Sequence, residues 1–328
     1  MKKKVSIIIP CYNGEKYIDC CMQSIFQQDY PKMEIIVVDD GSKDNSKKRI
    51  ELWEKKFQTI EVECKCISKK NGGLGSAINT GLKYVTGEYL SLLDIDDEYR
   101  ENAISDRVKY LEEHKEVDVI RTDGYYIKNG CQWLFSTGVK ENNPEDTFGA
   151  LIRGEIYNWA GSYMVRTEPL FQFYPNREIY ESRYGQNLQI LLPLLYKKGS
   201  GYIDKPHMNY NRQEDSLSQA SDLKVKKARD IENIAGYSDI YIYMIESIIK
   251  DEKEKRYYLD CNISRYWRRI YATAIEFQDK GLIKSSYKQV KKYGKVTFRE
   301  KIDYYQNVYP RMKCIVELLR RVKGKVRK

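Results

Sequence analysis

The stretch YLSLLDIDDEYR, Tyr89 to Arg100, ends an apolar run in Asp94, Asp96 and Asp97, with Glu98 directly behind. Four carboxylates at the end of a buried strand repel one another, and partial burial adds a desolvation cost. A compensating cation is therefore expected. On an extended strand end Asp94 and Asp96 point the same way, while Asp97 points elsewhere. Hard divalent ions such as Mg2+ or Mn2+ take one or two carboxylates plus phosphate oxygens, so this D-x-D pair suits a metal-held diphosphate. The plainer alternative is a solvated acidic turn ahead of a helix that begins near Asn102. Asp39-Asp40-Gly41-Ser42 adds a second acidic strand end, which also fits an ordinary strand-to-helix junction or a receiver-type phosphorylation domain. The Gly-rich NGGLGSA (71–77) lacks the G-x-G-x-x-G spacing of a dinucleotide fold, because position 78 is isoleucine.

The elements that carry these residues alternate in period. VSIII (5–9), EIIVVDDGS (34–42), VECKCIS (62–68), EYLSLLDIDD and VDVIRT (117–122) read as strands. Between them lie helical spacings through Tyr17, Ile18, Cys21, Ile25 and Phe26, through Ile50, Leu52 and Trp53, through Ala77, Ile78 and Leu82, and from Asn102 to His114. Ser42 or Asp44 is placed to cap the second helix. This order predicts an α/β fold with a mainly parallel sheet flanked by helices. Ligands of such sheets bind beyond the carboxyl ends of the strands. Tyr12-Asn13, Asp39-Asp40 and Asp94-x-Asp96 are all predicted at that edge. Past Thr122 the pattern changes. Asn129-Gly130 signals a hairpin, 144–154 a helix with Pro144 near its start, 160–166 a strand, YGQNLQILLPLLYKK a helix and GYIDKPHMNYNRQEDSLS an extended segment.

Composition bounds the class. A chain of 328 residues, 41% hydrophobic and 12% aromatic, can fill a core. No apolar run reaches the roughly 18 residues that span a bilayer, and the run after the N-terminal lysines is too short for a signal peptide. The chain is expected to stay in the cytoplasm. Its eight cysteines show neither C-x-x-C spacing nor a secreted disulfide frame and read as free thiols. Two histidines, His114 and His207, leave little material for a His-rich metal centre or a Ser-His-Asp triad. Residues 221–328 hold 27 Lys and Arg against 14 Asp and Glu, whereas residues 1–220 are slightly acidic. That asymmetry marks a boundary near Ser221 and a different partner for each part.

In order and spacing, VSIIIPCYNGEKYIDCCMQSIFQQDY, EIIVVDDGSKDNS and NGGLGSAINTGLKYVTGEYLSLLDIDD closely resemble the family 2 glycosyltransferases of GT-A fold, with a weaker likeness to about residue 218. The resemblance implies an inverting, metal-dependent transfer of one sugar from a nucleotide-diphospho-sugar, a UDP-sugar above all, as a hexosyl- or N-acetylhexosaminyltransferase (EC 2.4). The acceptor would be a cell-surface glycan or lipid-linked acceptor. Carried over by position, Pro10, Tyr12, Asn13, Asn71 and Gly72 would line the nucleotide site, with Tyr12 stacked on the base. Asp40 would accept the N3–H of a uracil, Asp94 would contact the ribose, and Arg212 would close over the diphosphate. Asp96 would hold Mn2+ or Mg2+.

Two positions depart from the family pattern. Ile78 stands where relatives often carry a cation, so Lys69 or Lys70 would substitute. Gln186-Asn187 stands where many relatives carry the Glu-Asp that supplies the general base, and neither amide accepts a proton at neutral pH. Glu181, Glu178 or Glu155 would then serve, Glu181 being preferred. The division expected is a glycosyltransferase domain over 1–220 (nucleotide-sugar binding 1–122, acceptor side 123–220), then a basic helical region over 221–328. That region suits either an anionic membrane surface or the solvated face of a helical bundle. Nucleic acid is not an expected partner; homo-oligomers are compatible with the sequence. The alternative function is a catalytically impaired nucleotide-sugar-binding subunit that partners an active transferase.

Overall fold

A computed structural model describes residues 2–211 and 223–309. The chain divides into two compact units, Met1–Ser216 and Leu217–Lys328. The first contains β1 (Val5–Cys11), α1 (Ile18–Phe26), β2 (Met33–Asp39), α2 (Ser46–Gln58), β3 (Glu63–Ser68), α3 (Leu74–Leu82), β4 (Tyr89–Leu92), β5 (Glu98–Tyr99), α4 (Ala103–Glu113), β6 (Val119–Lys128), β7 (Cys131–Leu134), α5 (Thr147–Arg153), β8 (Tyr163–Arg166), α6 (Thr167–Phe173), α7 (Gln186–Leu195) and β9 (Gly201–Asn211).

These strands form one nine-stranded sheet in the order β3-β2-β1-β4-β8-β6-β9-β5, with β7 on β6. The first four are parallel. β8 runs antiparallel to both β4 and β6, and β9 is parallel to β6. β1 and β2 are buried along their whole length, which is why their sequences are continuous Val/Ile runs and not alternating ones. α1 and α2 cover one face through Ile18, Cys21, Met22 and Ile25 and through Ile50, Trp53 and Phe57. Phe26 meets Trp53 and Phe57 edge-on, with centroids 6.2 and 5.5 Å apart. Asn129 and Gly130, both in the left-handed region, close the β6–β7 hairpin.

Glu34, near the start of β2, is buried in the sheet. It accepts from Lys4 Nζ at 2.6 Å, Thr86 Oγ1 and N–H at 2.7 Å each, Gly87 N–H at 3.1 Å and the Ser6 hydroxyl. Burial alone would raise its pKa. The Lys4 ammonium and then the hydroxyl and amide donors outweigh it and hold it at about 2.

The second unit is helical: α8 (Leu223–Ile248), α9 (Glu252–Glu276), α10 (Lys280–Tyr293) and α11 (Phe298–Val308). The starts of α9, α10 and α11 are capped by side chains: Asp251 accepts from Glu254 N–H, Asp279 from Leu282 N–H, and Thr297 forms a capping box with Glu300. Tyr271, Ala274, Ile283, Tyr287, Val290 and Val308 form a core, against which Tyr304 stacks on Tyr287 at 4.0 Å.

Three local expectations change. The fourth strand stops at Leu92, so Asp94 and Asp96 lie beyond it in a turn. The fifth helix starts at Thr147, where Asp146 accepts from Gly149 N–H and outcompetes the Pro144 signal. The helix after Asp44 begins at Ser46 with Asn45 as its cap residue, yet Asp44 Oδ1 still accepts from Ser46 N–H at 3.0 Å. Arg212 and the rest of its extended segment lie outside the described residues.

Candidate active site

Three loops meet at the carboxyl edge of the parallel strands. The loop after β1 carries Tyr12 and Asn13, and the loop after β2 carries Asp40 to Ser46. They are laced together: Asn13 N–H donates to Ser42 Oγ at 2.9 Å, Lys43 N–H to Asn13 Oδ1 at 2.8 Å, Gly14 N–H to Ser46 Oγ at 2.8 Å, and Asn45 to both oxygens of Glu15 at 3.0 Å. Asn13 takes a positive φ of 52° to make this turn. The result leaves the Tyr12 ring 48% exposed on a rigid support, whereas Pro10 is buried inside β1.

The third loop, 69–73, is held by Asp40. The buried carboxylate accepts from Lys69 Nζ at 2.8 Å, from Gly72 N–H at 3.0 and 3.1 Å and from Gly73 N–H at 2.7 Å. A carboxylate offers about four lone-pair positions, so a base N3–H would have to replace the Lys69 bond. Gly41, at φ 76°, is required here because a Cβ would lie 2.9 Å from the Asn71 nitrogen. Asn71 and Gly72 themselves are exposed, and Ile78 is buried in the core on α3. Of the two lysines expected to replace a cation at position 78, Lys69 is the one joined to Asp40.

The acidic run forms a tight turn, closed by Asp97 N–H donating to the Asp94 carbonyl at 3.0 Å. Asp97 is buried, its Oδ1 accepts from Asn211 N–H at 3.0 Å, and its Oδ2 has no partner among the described residues. Burial, and then the charge of Asp96, push Asp94 up to about 7. Burial raises Asp96, and burial followed by Asp94 and Asp96 raises Asp97 well above the usual carboxylate range. No Lys, Arg or His pairs with these three among the described residues, in contrast with the five donors around Glu34.

The half-buried Asp94 and Asp96, beside a buried Asp97 with an orphan oxygen, fit the one or two carboxylates that a divalent ion takes. Among the described residues no three His, Cys, Asp or Glu side chains close on a common point as a complete protein cage would.

The turn is braced from behind. Asn211, the last residue of β9, also donates to Asp96 O at 2.8 Å and Glu98 Oε1 at 3.1 Å. Gly161 N–H bonds Leu92 O at 2.6 Å, bringing the 159–162 turn beside Leu93. The fully buried Arg107 donates to Thr122 Oγ1 at 2.9 Å and Gly161 O at 2.6 Å while lying over the Tyr99 ring. Sequence periodicity carries no signal for these braces, because β5, β9 and α4 meet only through long-range pairing.

Gln186 and Asn187 open α7. Gln186 is buried and donates to Ser182 O at 2.7 Å; Asn187 accepts from the Tyr163 hydroxyl at 2.7 Å. Burial and then the charge of Asp94 raise the Tyr163 pKa. The segment before them is clamped by two amides. Asn79 exchanges two bonds with the Ile179 backbone at 2.9 and 2.8 Å, and Gln189 two with Tyr180 at 2.8 and 3.1 Å. It passes over the start of α3, where a Cβ on Gly75 would lie 2.9 Å from Ser182 O. Glu181 thus sits at the helix that follows the Asp40-bound loop, exposed and without an ion pair among the described residues. Glu178 pairs with Lys83 at 2.6 Å and Glu155 with Arg153 at 2.8 Å.

The sequence profile described as glycosyl transferase family 2 matches residues 6–171, and the chain belongs to that family. An uncharacterized glycosyltransferase of Rickettsia conorii is 42% identical over 124 residues, 38% of this chain and 20% of that protein. The poly(ribitol-phosphate) beta-N-acetylglucosaminyltransferase TarS of Staphylococcus aureus is 33% identical over 167 residues, 50% of this chain and 28% of its own. The glycosyltransferase GlyG of Streptococcus pneumoniae is 34% identical over 174 residues, 52% and 56%. The chain thus spans from a fifth to somewhat over half the length of these curated relatives. The crystal structure of TarS 1–349 in complex with UDP-GlcNAc superposes with a TM-score of 0.63 at 22% identity, over 93% of this chain and 79% of that one. A Pyrobaculum calidifontis mannosyltransferase with GDP-Man and Mn2+ gives 0.50 at 14%, over 94% and 88%. These two show a shared fold.

Proposed function

We propose that the protein is a UDP-sugar-dependent, inverting glycosyltransferase that adds a single sugar to a cell-surface glycan or lipid-linked acceptor. The observation that carries this reading is the uncompensated turn Asp94–Asp97 beside an exposed Tyr12 and an Asp40-anchored loop, in a chain of this family. That a structural relative was solved with UDP-GlcNAc supports the choice of donor.

Tyr12 would offer its exposed face to the base. Asp40 would hold loop 69–73 in place and exchange its Lys69 bond for the imide N–H of uracil, leaving the Lys69 ammonium close to the base. Asp94 would bind the ribose, and Asp96, with the orphan Asp97 oxygen behind it, would hold Mn2+ or Mg2+. A divalent ion there supplies charge neutralisation for a diphosphate leaving group. Glu181, with no ion pair among the described residues, would take the proton of the acceptor hydroxyl.

A second reading is favoured by one observation: Gln186 and Asn187 are both engaged in bonds that hold the loop and Tyr163. With no carboxylate at those positions, the chain would act as a nucleotide-sugar-binding subunit of an active partner. UDP release from a panel of UDP-sugars, with and without candidate acceptors, separates the two. The transferase reading requires acceptor-stimulated turnover that is lost in Asp96→Ala and reduced at least tenfold in Glu181→Gln. Tight UDP binding with no turnover under any condition would leave the binding-subunit reading standing.

A further inference from the structure

The helix α10, KGLIKSSYKQVKKY, carries five lysines and no acidic residue. Ile283, Ser286, Tyr287 and Val290 face the core of their unit, while Lys280, Lys284, Lys288, Lys291 and Lys292 are all exposed. Among the described residues none of the five forms an ion pair. Lys291 and Lys292 only lie over the Tyr287 and Tyr293 rings, at 4.8 and 4.9 Å.

Helix stability does not account for this pattern. Lys280–Lys284, Lys284–Lys288 and Lys288–Lys292 are like-charged pairs at i,i+4, which weaken a helix. Lys280 and Lys284 also place cations at the positive, N-terminal end of the macrodipole; only Lys291 and Lys292 suit their end. A row of like charges kept together on one exposed face matches an anionic surface outside the molecule.

We propose that this face of α10 docks the protein on an anionic phospholipid membrane. Four features select that partner. The row is straight and runs about 20 Å along 14 residues, as a flat surface requires. Its charges are all lysines, flexible point charges and not the forked arginines that grip single phosphates. No aromatic side chain is exposed within the row to stack nucleic-acid bases. The next helix opens with Phe298, 64% exposed, a residue suited to the bilayer interface. The docking is independent of glycosyl transfer, and the two are tested apart.

The experiment is co-sedimentation of the full chain with phosphatidylcholine vesicles, with and without phosphatidylglycerol, for wild type and the triple variant Lys284→Gln/Lys288→Gln/Lys291→Gln. Each lysine near an anionic surface is worth about a fivefold factor in partitioning. The triple variant should therefore bind the anionic vesicles on the order of a hundred-fold more weakly. Neither protein should bind phosphatidylcholine alone, and added salt should release the wild type. Far-UV circular dichroism and the UDP-induced thermal shift should match between the two proteins, which separates a docking defect from misfolding or a lost donor site. Equal vesicle binding by wild type and variant would overturn the proposal. So would wild type that binds single-stranded DNA at low salt while ignoring anionic vesicles.

Discussion

Replacing Glu34 by glutamine should remove an acid-sensitive part of the protein's stability. The side chain keeps its shape, but one acceptor oxygen becomes an amide that faces donors, and the Lys4 ammonium loses its 2.6 Å partner. The carboxyl sits at about 2 in the fold against 4.5 for the free group. That difference is worth about 3 kcal/mol when both forms are ionised. Because the folded pKa is the lower one, the contribution is complete above about pH 4.5 and is lost as pH falls toward 2. Urea unfolding followed by far-UV circular dichroism and tryptophan fluorescence measures it directly. Wild type should exceed Glu34→Gln by about 3 kcal/mol at pH 7, and by less than half of that at pH 3. A difference below about 1 kcal/mol at pH 7, or one that does not shrink in acid, would refute the view that five donors hold this charge.

Two further outcomes follow from the loops around the site. Asp40→Asn places an amide against the N–H groups of Gly72 and Gly73 and removes the Lys69 partner, so calorimetry should show UDP affinity falling at least tenfold. Asn79→Ala removes both bonds to Ile179, costing about 2 kcal/mol. It should speed amide exchange across 179–182 while leaving UDP affinity within twofold.

Much of the first unit was legible in sequence because its signals are local. Continuous Val/Ile runs marked β1 and β2, 3.6-residue spacing marked α1 to α4, and Asn129-Gly130 marked the hairpin. The chain's place among family 2 glycosyltransferases was legible in three motifs. What sequence could not supply was long-range pairing. The two-residue β5 exists only because Asn209 and Met208 of β9 lie opposite Glu98 and Tyr99, and that pairing brings Asn211 onto Asp96 and Asp97. The same gap explains the end of the fourth strand: its alternation was extended past Leu92, where a turn had already begun. Asp40 shows the reverse case. Its type and position were plain, but only the folded loop reveals that Lys69, Gly72 and Gly73 already fill its oxygens.

The central contrast lies between Glu34, a buried carboxylate with five donors including Lys4, and the Asp94–Asp97 turn, whose carboxylates have no Lys, Arg or His partner among the described residues. Thermal unfolding of wild type and Asp96→Ala with UDP, with and without Mn2+, tests it most directly. Ligand at 100 times its dissociation constant adds about 2.7 kcal/mol. The account predicts an upward shift for wild type that needs UDP and Mn2+ together and disappears in Asp96→Ala. An absent shift in wild type, or an undiminished one in Asp96→Ala, would contradict it.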